Sequence, residues 1–337
     1  MPMQNQQVVL VSRPHGIPQA SDFEIRSQPV PALSPGQFLV ENAFLSVDPA
    51  MRGWTNAVAN YSDPVPLGTV MRAFSAGRVI ASRHPDYPQG SQVMGLLGWQ
   101  RYAVSDGSDI RRIVRETDLP LSLSLGVLGL NGVTAYFALR MLGRPQAGET
   151  VVISTAAGAV GSIAGQLARM AGCRVVGIAG GAEKCRICVD DFGFDAALDY
   201  RQDDLSQQLQ AACPQGIDIY YDNTAGRISD IVLPQINRHA RVIVCGTASI
   251  ASWDPWPQGP RVERHLLNKA ASMTGFLVWD YEDRYEEAID HLAPLIRSGA
   301  LRYREEILQG IEQAPGSIAD LYQGRNLGKR LIRLDDE

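Results

Sequence analysis

Along the first 120 residues, apolar positions come in short runs rather than long amphipathic stretches. "QQVVLVSR", "FEIRSQPV", "GQFLVENAFLSV", "FSAGRVIAS" and "WQRYAVSD" are rich in β-branched and aromatic residues. Pro-Gly, Pro-Gln-Gly and Asp-Gly turns separate them. This pattern predicts short strands in a small barrel or sandwich, not a parallel sheet.

From about Val127 the pattern changes. Strand-like runs at Thr150–Ser154, Arg174–Ala179, Ala196–Tyr200, Ile217–Asp222 and Arg241–Gly246 alternate with helical segments. Those segments are Ala159–Ala171, Ala182–Phe192, Asp204–Ala212 and Arg227–Arg238. Strands alternating with helices predict an α/β fold with a doubly wound parallel sheet. A further strand, Ala271–Trp279, is expected at the sheet edge with few charges to protect it, which suits a homodimer sealed there. Tyr281–Ser298 reads as an amphipathic helix with Ile289, Leu292, Leu295 and Ile296 on one face and Gly299 as its cap. The tail from Leu301 reads strand, helix, glycine-rich turn, strand; it does not extend the alternation and is expected to return to the first domain. No repeat, low-complexity segment or long linker interrupts the chain.

Composition narrows the class. The 337 residues suffice for two domains, and 45% apolar with 20% charged residues is ordinary for a soluble globular protein. A net charge of −5 offers no electrostatic footprint for nucleic acid or an anionic membrane. The opening residues carry neither a basic leader nor an apolar core, so no signal peptide is expected. The most apolar run, Leu121–Leu142, is broken by Ser122, Ser124, Asn131, Thr134 and Arg140; it predicts a buried helix rather than a span, and a cytoplasmic protein. The five cysteines all lie at or beyond Cys173, an odd and clustered set that argues against a disulfide framework. Cys185 and Cys188 spell C-x-x-C, but no second ligand pair accompanies them, and inert packing on a helix is the expectation.

Candidate chemistry concentrates in "TVVISTAAGAVGSIAGQLARMAGCRVVGIAGGAEKC". Ala156, Gly158 and Gly161 fill the three positions of a G-x-G-x-x-G turn between a strand and a helix. The middle glycine admits a pyrophosphate close to the backbone, the last allows close helix–strand packing, and the helix start favours an anion. The second strand ends at Gly180 and Gly181, where an NAD site would place an acid on the ribose. Lys184 just beyond suits a 2′-phosphate instead, so NADPH is the expected cofactor. Glu183 is expected on the next helix turn, and Lys184 could also be an ordinary solvated lysine.

With "LSVDPAMRGW", "LGVLGLNGVTAYFAL", "GFDAALDYR", "GIDIYYDNTAG" and "YQGRNLGKRL" added, the chain resembles the zinc-free medium-chain dehydrogenases/reductases over nearly its whole length. The group is that of the prostaglandin reductases, leukotriene B4 dehydrogenases, alkenal double-bond reductases and curcumin reductases. The resemblance implies a GroES-like β-rich domain at 1–125 completed by 300–337, and a Rossmann NADPH-binding domain at 126–299. It implies NADPH-dependent reduction of carbon–carbon double bonds conjugated to a carbonyl, with a small α,β-unsaturated carbonyl as substrate. It places Gly158, Ala159, Val160 and Gly161 at the pyrophosphate, Lys184 and Tyr200 at the 2′-phosphate, and Thr134 near the nicotinamide. Asn223, Cys245, Gly246, Thr247, Phe276, Leu277, Val278 and Asn326 become further cofactor contacts. Plainer readings stay open: strand-end packing for Tyr200 and Phe276, core packing for the Cys245 side chain, and turn formation for Asn223 and Asn326.

A metal is not expected, because no cysteine precedes Cys173 and the early histidines are only His15 and His84. The substrate side departs from the family pattern. Ala50 and Ala251 stand where members commonly carry tyrosine, and "GPRVERH" lacks the usual Asn-Tyr. Trp253 and Trp256 could fill that volume or simply pack a loop. Tyr61 is therefore the nominated proton donor, with water or the cofactor ribose as alternatives. Arg52 and Asn42 are candidates for a substrate oxygen, although an ion pair is the plainer role for Arg52. A quinone or carbonyl reductase, and a non-catalytic NADPH-binding protein, remain as rival readings.

Overall fold

The computed structural model of the protein describes residues 3–59, 62–250 and 255–334. β1 (Gln4–Leu10) pairs antiparallel with β2 (Phe23–Pro29). β3 (Phe38–Ser46), α1 (Ala50–Thr55), β4 (Ser75–Ser82), β5 (Gln92–Gly95), β6 (Tyr102–Ser105) and β7 (Ile110–Ile113) follow. β3 is the spine, pairing antiparallel with both β4 and β6. Its Phe38, Val40 and Leu45 are fully buried, and Val79, Val93, Leu97 and Ala103 close the core around Phe38 and Val40. The antiparallel architecture expected from the short apolar runs is present. β5 and β7 lie outside the expected runs; at four residues each, QVMG and IRRI are too short for a periodicity to show.

Leu121–Leu142 does not form the single helix expected. It divides into a 3-10 turn at Leu121–Leu125, α2 (Leu130–Phe137) and a π-helical turn at Ala138–Gly143. Gly126 and Gly129 fall between the first two pieces, and glycine is costly inside a helix. Among the described residues, no helix is long and apolar enough to cross a membrane.

The alternating region gives β8 (Thr150–Ser154), α3 (Ala159–Met170), β9 (Arg174–Ala179), α4 (Ala182–Asp190), β10 (Ala196–Asp199) and α5 (Leu205–Ala212). It continues through β11 (Ile217–Asp222), α6 (Gly226–Val232), β12 (Ile236–Val244), α7 (Glu263–Lys269), β13 (Ser272–Gly275) and α8 (Tyr285–Arg297). The sheet order is β10-β9-β8-β11-β12-β13, and every neighbouring pair is parallel. Val152, Val176, Ile178, Tyr220 and Val242 form its buried centre. Covered on both faces, the strands read as continuous apolar runs, as a parallel sheet requires.

Three boundaries shift from expectation. The helix expected over Arg227–Arg238 ends at Val232, because Pro234 supplies no N–H and Leu233–Gln235 becomes a 3-10 turn. β12 therefore starts at Ile236 rather than Arg241. The edge strand expected over Ala271–Trp279 contracts to Ser272–Gly275, and the chain winds into a 3-10 turn at Val278–Arg284 before α8. The left-handed Gly299 follows the end of α8 at φ +72°.

The tail supplies β14 (Glu305–Gln309), α9 (Ala314–Tyr322) and β15 (Lys329–Arg333). β15 pairs antiparallel with β3 and parallel with β14, so the tail completes the first sheet. The chain falls into two compact units: residues up to Leu125 with those from Glu305 onward, and Gly126–Arg304.

Candidate cofactor site

Because all strands of the second sheet are parallel, their carboxyl ends share one edge. The order reverses between β8 and β11, so the loop after β8 opens at the topological switch point, where such sheets bind ligands. Thr155 turns that loop with φ +54°. The Ala156 N–H donates to the Ile178 carbonyl at 3.0 Å, and the Gly158 N–H to the Thr155 carbonyl at 2.9 Å. Gly158 then caps α3 in extended conformation, and Ser162 donates the first helical bond back to it at 3.0 Å. No side chain caps α3, and the N–H groups of Ala159, Val160 and Gly161 have no acceptor within the helix. A Cβ on Gly158 would stand 2.8 Å from Thr155 Cγ2, and one on Gly161 would run into the Thr155 carbonyl oxygen. Bare donors behind a turn too close for side chains fit a pyrophosphate.

The ends of β9 and β10 form a second cluster. The N–H of left-handed Gly181 donates to Asp199 Oδ1 at 2.9 Å, and the Arg201 N–H reaches the same oxygen at 3.0 Å. An acid does stand beside this edge, on β10, but its carboxylate is turned into backbone amides. Burial pushes the Asp199 carboxyl up, and these hydrogen bonds outweigh it, leaving the group below its ordinary range. The Tyr200 ring lies against Gly180; a Cβ there would be 2.9 Å from both Cε1 and Oη. Lys184 stands half-buried in the first turn of α4, with Glu183 exposed beside it. Two arginines missed by the sequence reading join this cluster. Arg201 Nη1 is 3.3 Å from where a Gly181 Cβ would sit, and Arg227 Nη1 donates to the Tyr200 carbonyl at 3.2 Å. Their only sequence signal is a basic residue after Tyr200 and another after "NTAG".

The loops after β11, β12 and β13 complete the edge. Asn223 donates its N–H to Ser154 Oγ at 2.8 Å and its Nδ2 to the Ser154 carbonyl at 2.7 Å, tying β11 to the start of the glycine turn. Buried Asp222 accepts from Thr224 N–H and Ala225 N–H at 2.9 Å and from Tyr220 Oη at 3.0 Å. It holds a loop in which Ala225 takes φ +58°, ψ −160°, a conformation that favours glycine. The N–H groups of Cys245 and Gly246 donate to the Asp222 carbonyl at 2.8 and 3.1 Å, and Thr247 follows them. Burial pushes the Cys245 thiol up to about 11, and its sulfur lies 3.4 Å from Tyr221 Oη, so the thiol is packed and protonated at neutral pH. Tyr221 Oη also donates to the Thr134 carbonyl at 3.3 Å, anchoring α2. Phe276 is buried and stacks on Tyr281, which stacks on Phe137; Leu277 beside it is exposed and Val278 buried.

Asn42, Arg52 and Asn326 lie in the first unit. Asn42 is buried, with Nδ2 donating to the Gln100 carbonyl at 2.9 Å and Oδ1 without a partner. It lines a cavity of about 310 Å³ with Glu41, Arg78, Gln92 and Arg101. One N–H of its amide is thus committed to the backbone; the amide carries a second N–H donor, and Oδ1 is an acceptor. The Arg52 guanidinium stacks 4.5 Å over the Tyr322 ring, whose hydroxyl donates to the Pro49 carbonyl at 2.8 Å. Asn326 Nδ2 donates to the Gly328 carbonyl at 3.1 Å in the turn before β15. Tyr61, Ala251 and Trp253 lie outside the described residues; Trp256 is 76% exposed. Among the described residues, no group of three histidines, cysteines or acids could hold a metal ion.

Comparison with known proteins bears on this arrangement. Residues 6–113 match the model of the N-terminal domain of oxidoreductase, and residues 159–294 that of zinc-binding dehydrogenase. The chain is 42% identical over 335 residues to an NADPH-dependent curcumin reductase of Escherichia coli K12, covering 98% of this chain and 97% of that one. It is 35% identical to a 2-alkenal reductase (NADP(+)-dependent) of Nicotiana tabacum, covering 99% and 98%. The crystal structure of CurA from Vibrio vulnificus in complex with NADPH superposes with a TM-score of 0.93 at 38% identity, covering 98% of this chain and 100% of that one. With the glycine turn, the acid-free end of β9 and this likeness along the whole chain, the protein belongs to the zinc-free medium-chain dehydrogenases/reductases and is an NADPH-dependent oxidoreductase.

Proposed function

We propose that the enzyme reduces carbon–carbon double bonds conjugated to a carbonyl: 2-alkenals, enones and dienones. The observation that carries this reading is full-length similarity to a curcumin reductase and a 2-alkenal reductase. When bound, NADPH supplies a hydride from its nicotinamide ring. The first-turn amides of α3 hold the pyrophosphate, and Lys184 with Tyr200 takes the 2′-phosphate. Thr134, Asn223, Cys245, Gly246, Thr247, Phe276, Leu277, Val278 and Asn326 are assigned to the rest of the cofactor, Asn223 and Cys245 through backbone they hold in place. The β-carbon receives the hydride and the α-carbon a proton, so the substrate's enolate oxygen needs a donor in between. Tyr61 is nominated for it; undiminished enone turnover by Tyr61→Phe would return the role to water or the cofactor ribose.

The test is NADPH oxidation over a panel of 2-alkenals, enones, dienones, quinones and simple aldehydes. We expect turnover of the conjugated alkenes to give saturated products that retain their carbonyl. Consumption of NADPH with quinones but not with alkenals or dienones overturns the reading.

We also propose a homodimer formed through β13. Among the described residues this edge strand pairs only with β12, most of its residues are exposed, and Leu267 on neighbouring α7 is 82% exposed. Light scattering at micromolar concentration should give twice the chain mass; a monomer mass contradicts the proposal.

A further inference from the structure

The 2′-phosphate reading rests so far on Lys184 and Tyr200, yet the geometry gathers more cationic charge at this corner. Three features converge on it. Asp199 accepts the amides of Gly181 and Arg201 on one oxygen, which clamps the start of α4 to the residue after Tyr200. That clamp brings the Arg201 side chain back over Gly181, with its guanidinium 6.0 Å from the Tyr200 ring centroid. Arg227, from the start of α6, holds the Tyr200 carbonyl and so fixes the ring against Gly180. The Tyr200 ring is thereby flanked by a planar guanidinium on an exposed residue, above two glycines that add no side chain.

We propose that Arg201 is a specificity-determining residue that binds the cofactor's 2′-phosphate together with Lys184, and that Arg227 is a positioning residue acting through Tyr200. A guanidinium presents paired N–H donors that match phosphate oxygens, whereas the Lys184 ammonium is a point charge. Asp199 has one carboxylate oxygen held by the Gly181 and Arg201 amides, and the Arg201 charge faces it as well. Glu183 is exposed on the first turn of α4 and faces solvent. The cofactor would then be selected by two cations from different elements, one after β9 and one after β10.

This inference rests on the placement of the 2′-phosphate at the ends of β9 and β10, and the test separates the two. Equilibrium dissociation constants for NADPH, NADH and 2′,5′-ADP are measured by titration calorimetry on the full chain, parent and variants. Arg201→Gln is expected to weaken NADPH and 2′,5′-ADP about tenfold or more and to leave NADH within about twofold. The loss should shrink as salt is raised, since the group is exposed. Lys184→Gln should weaken the same two ligands. If Lys184→Gln discriminates between NADPH and NADH but Arg201→Gln does not, the role of Arg201 fails while the subsite stands. If neither variant discriminates, the subsite itself is misplaced and both readings fall. An equal loss of NADPH and NADH in Arg201→Gln makes the residue structural and also overturns the proposal; thermal melting of each variant identifies loss of fold as the source.

Discussion

Gly161→Val is expected to weaken NADPH binding at least about a hundredfold and to lower stability by about 3 kcal/mol or more. Gly161 sits in the first turn of α3, and its missing Cβ would run into the Thr155 carbonyl oxygen, with Ala156 Cα at 3.1 Å behind it. Neither neighbour is a flexible side-chain tip. Both belong to the backbone of the turn, and Ala156 is tied to β9 through its bond to Ile178. A branched side chain must therefore push α3 off the sheet or open the turn. Either movement displaces the N–H groups of Ala159 and Val160, which the proposed pyrophosphate contact requires. Gly316→Ala serves as the control: it lies in α9 with no atom within 4 Å of the added Cβ. It should leave NADPH binding unchanged and stabilise by about 0.5–1 kcal/mol. Calorimetric titration with NADPH and thermal melting read both variants. Parent-like NADPH affinity in Gly161→Val would show that this turn does not hold the cofactor.

The second large effect is expected at Lys329, in the first unit. Its Nζ donates to Ser46 Oγ and Asp48 Oδ1 at 2.6 Å and to the Val47 carbonyl at 3.1 Å, with both ionic side chains less than a tenth exposed. Ser46 also donates to Asp48, and Trp99 Nε1 donates to the Ser46 carbonyl at 3.0 Å. The pair therefore fastens β15 to the segment between β3 and α1, where Arg52 resides. Lys329→Met leaves the Asp48 carboxylate buried and unpaired, at a cost of about 3–5 kcal/mol. Lys329→Met with Asp48→Leu removes both charges and should recover most of that loss. Urea unfolding of the four members of the cycle measures the coupling. A loss below about 1 kcal/mol in Lys329→Met would mean that Asp48 finds water or a proton in place of its partner.

Much of the proposed cofactor site was legible because its signals are local. "TVVIS" before "AAGAVG" before an apolar-faced helix is a contiguous pattern, and every residue of the turn lies within a few positions of the next. The absent acid after "VVGIA" was equally readable, since the chain itself brings Gly180 and Gly181 to the end of β9. Helix and strand limits were less secure wherever a single residue decided them. Pro234 ended α6 early, Gly126 and Gly129 split the apolar run at Leu121–Leu142, and the strand from Ala271 stopped at Gly275. In each case the hydrophobic pattern continued past the point where the backbone could follow it.

Asn42 shows the opposite limit. An asparagine in an apolar strand is a reasonable site candidate, but only the fold reveals that its amide donates to Gln100, 58 residues away. The same holds for Arg201, which along the chain is only a charge after a strand. Its proximity to Gly181 follows from β10 lying beside β9 and from Asp199 holding two amides at once. Periodicity, turn chemistry and the glycine spacing thus pointed to the fold class, the tail's return and the glycine turn between β8 and α3, because those depend on neighbours along the chain. Which cations surround Tyr200, which donors are already committed and which charges pair in the core were decided by the tertiary structure alone. They depend on the order of strands in the sheet, and parallel strands joined by crossovers bring together residues that no local spacing connects.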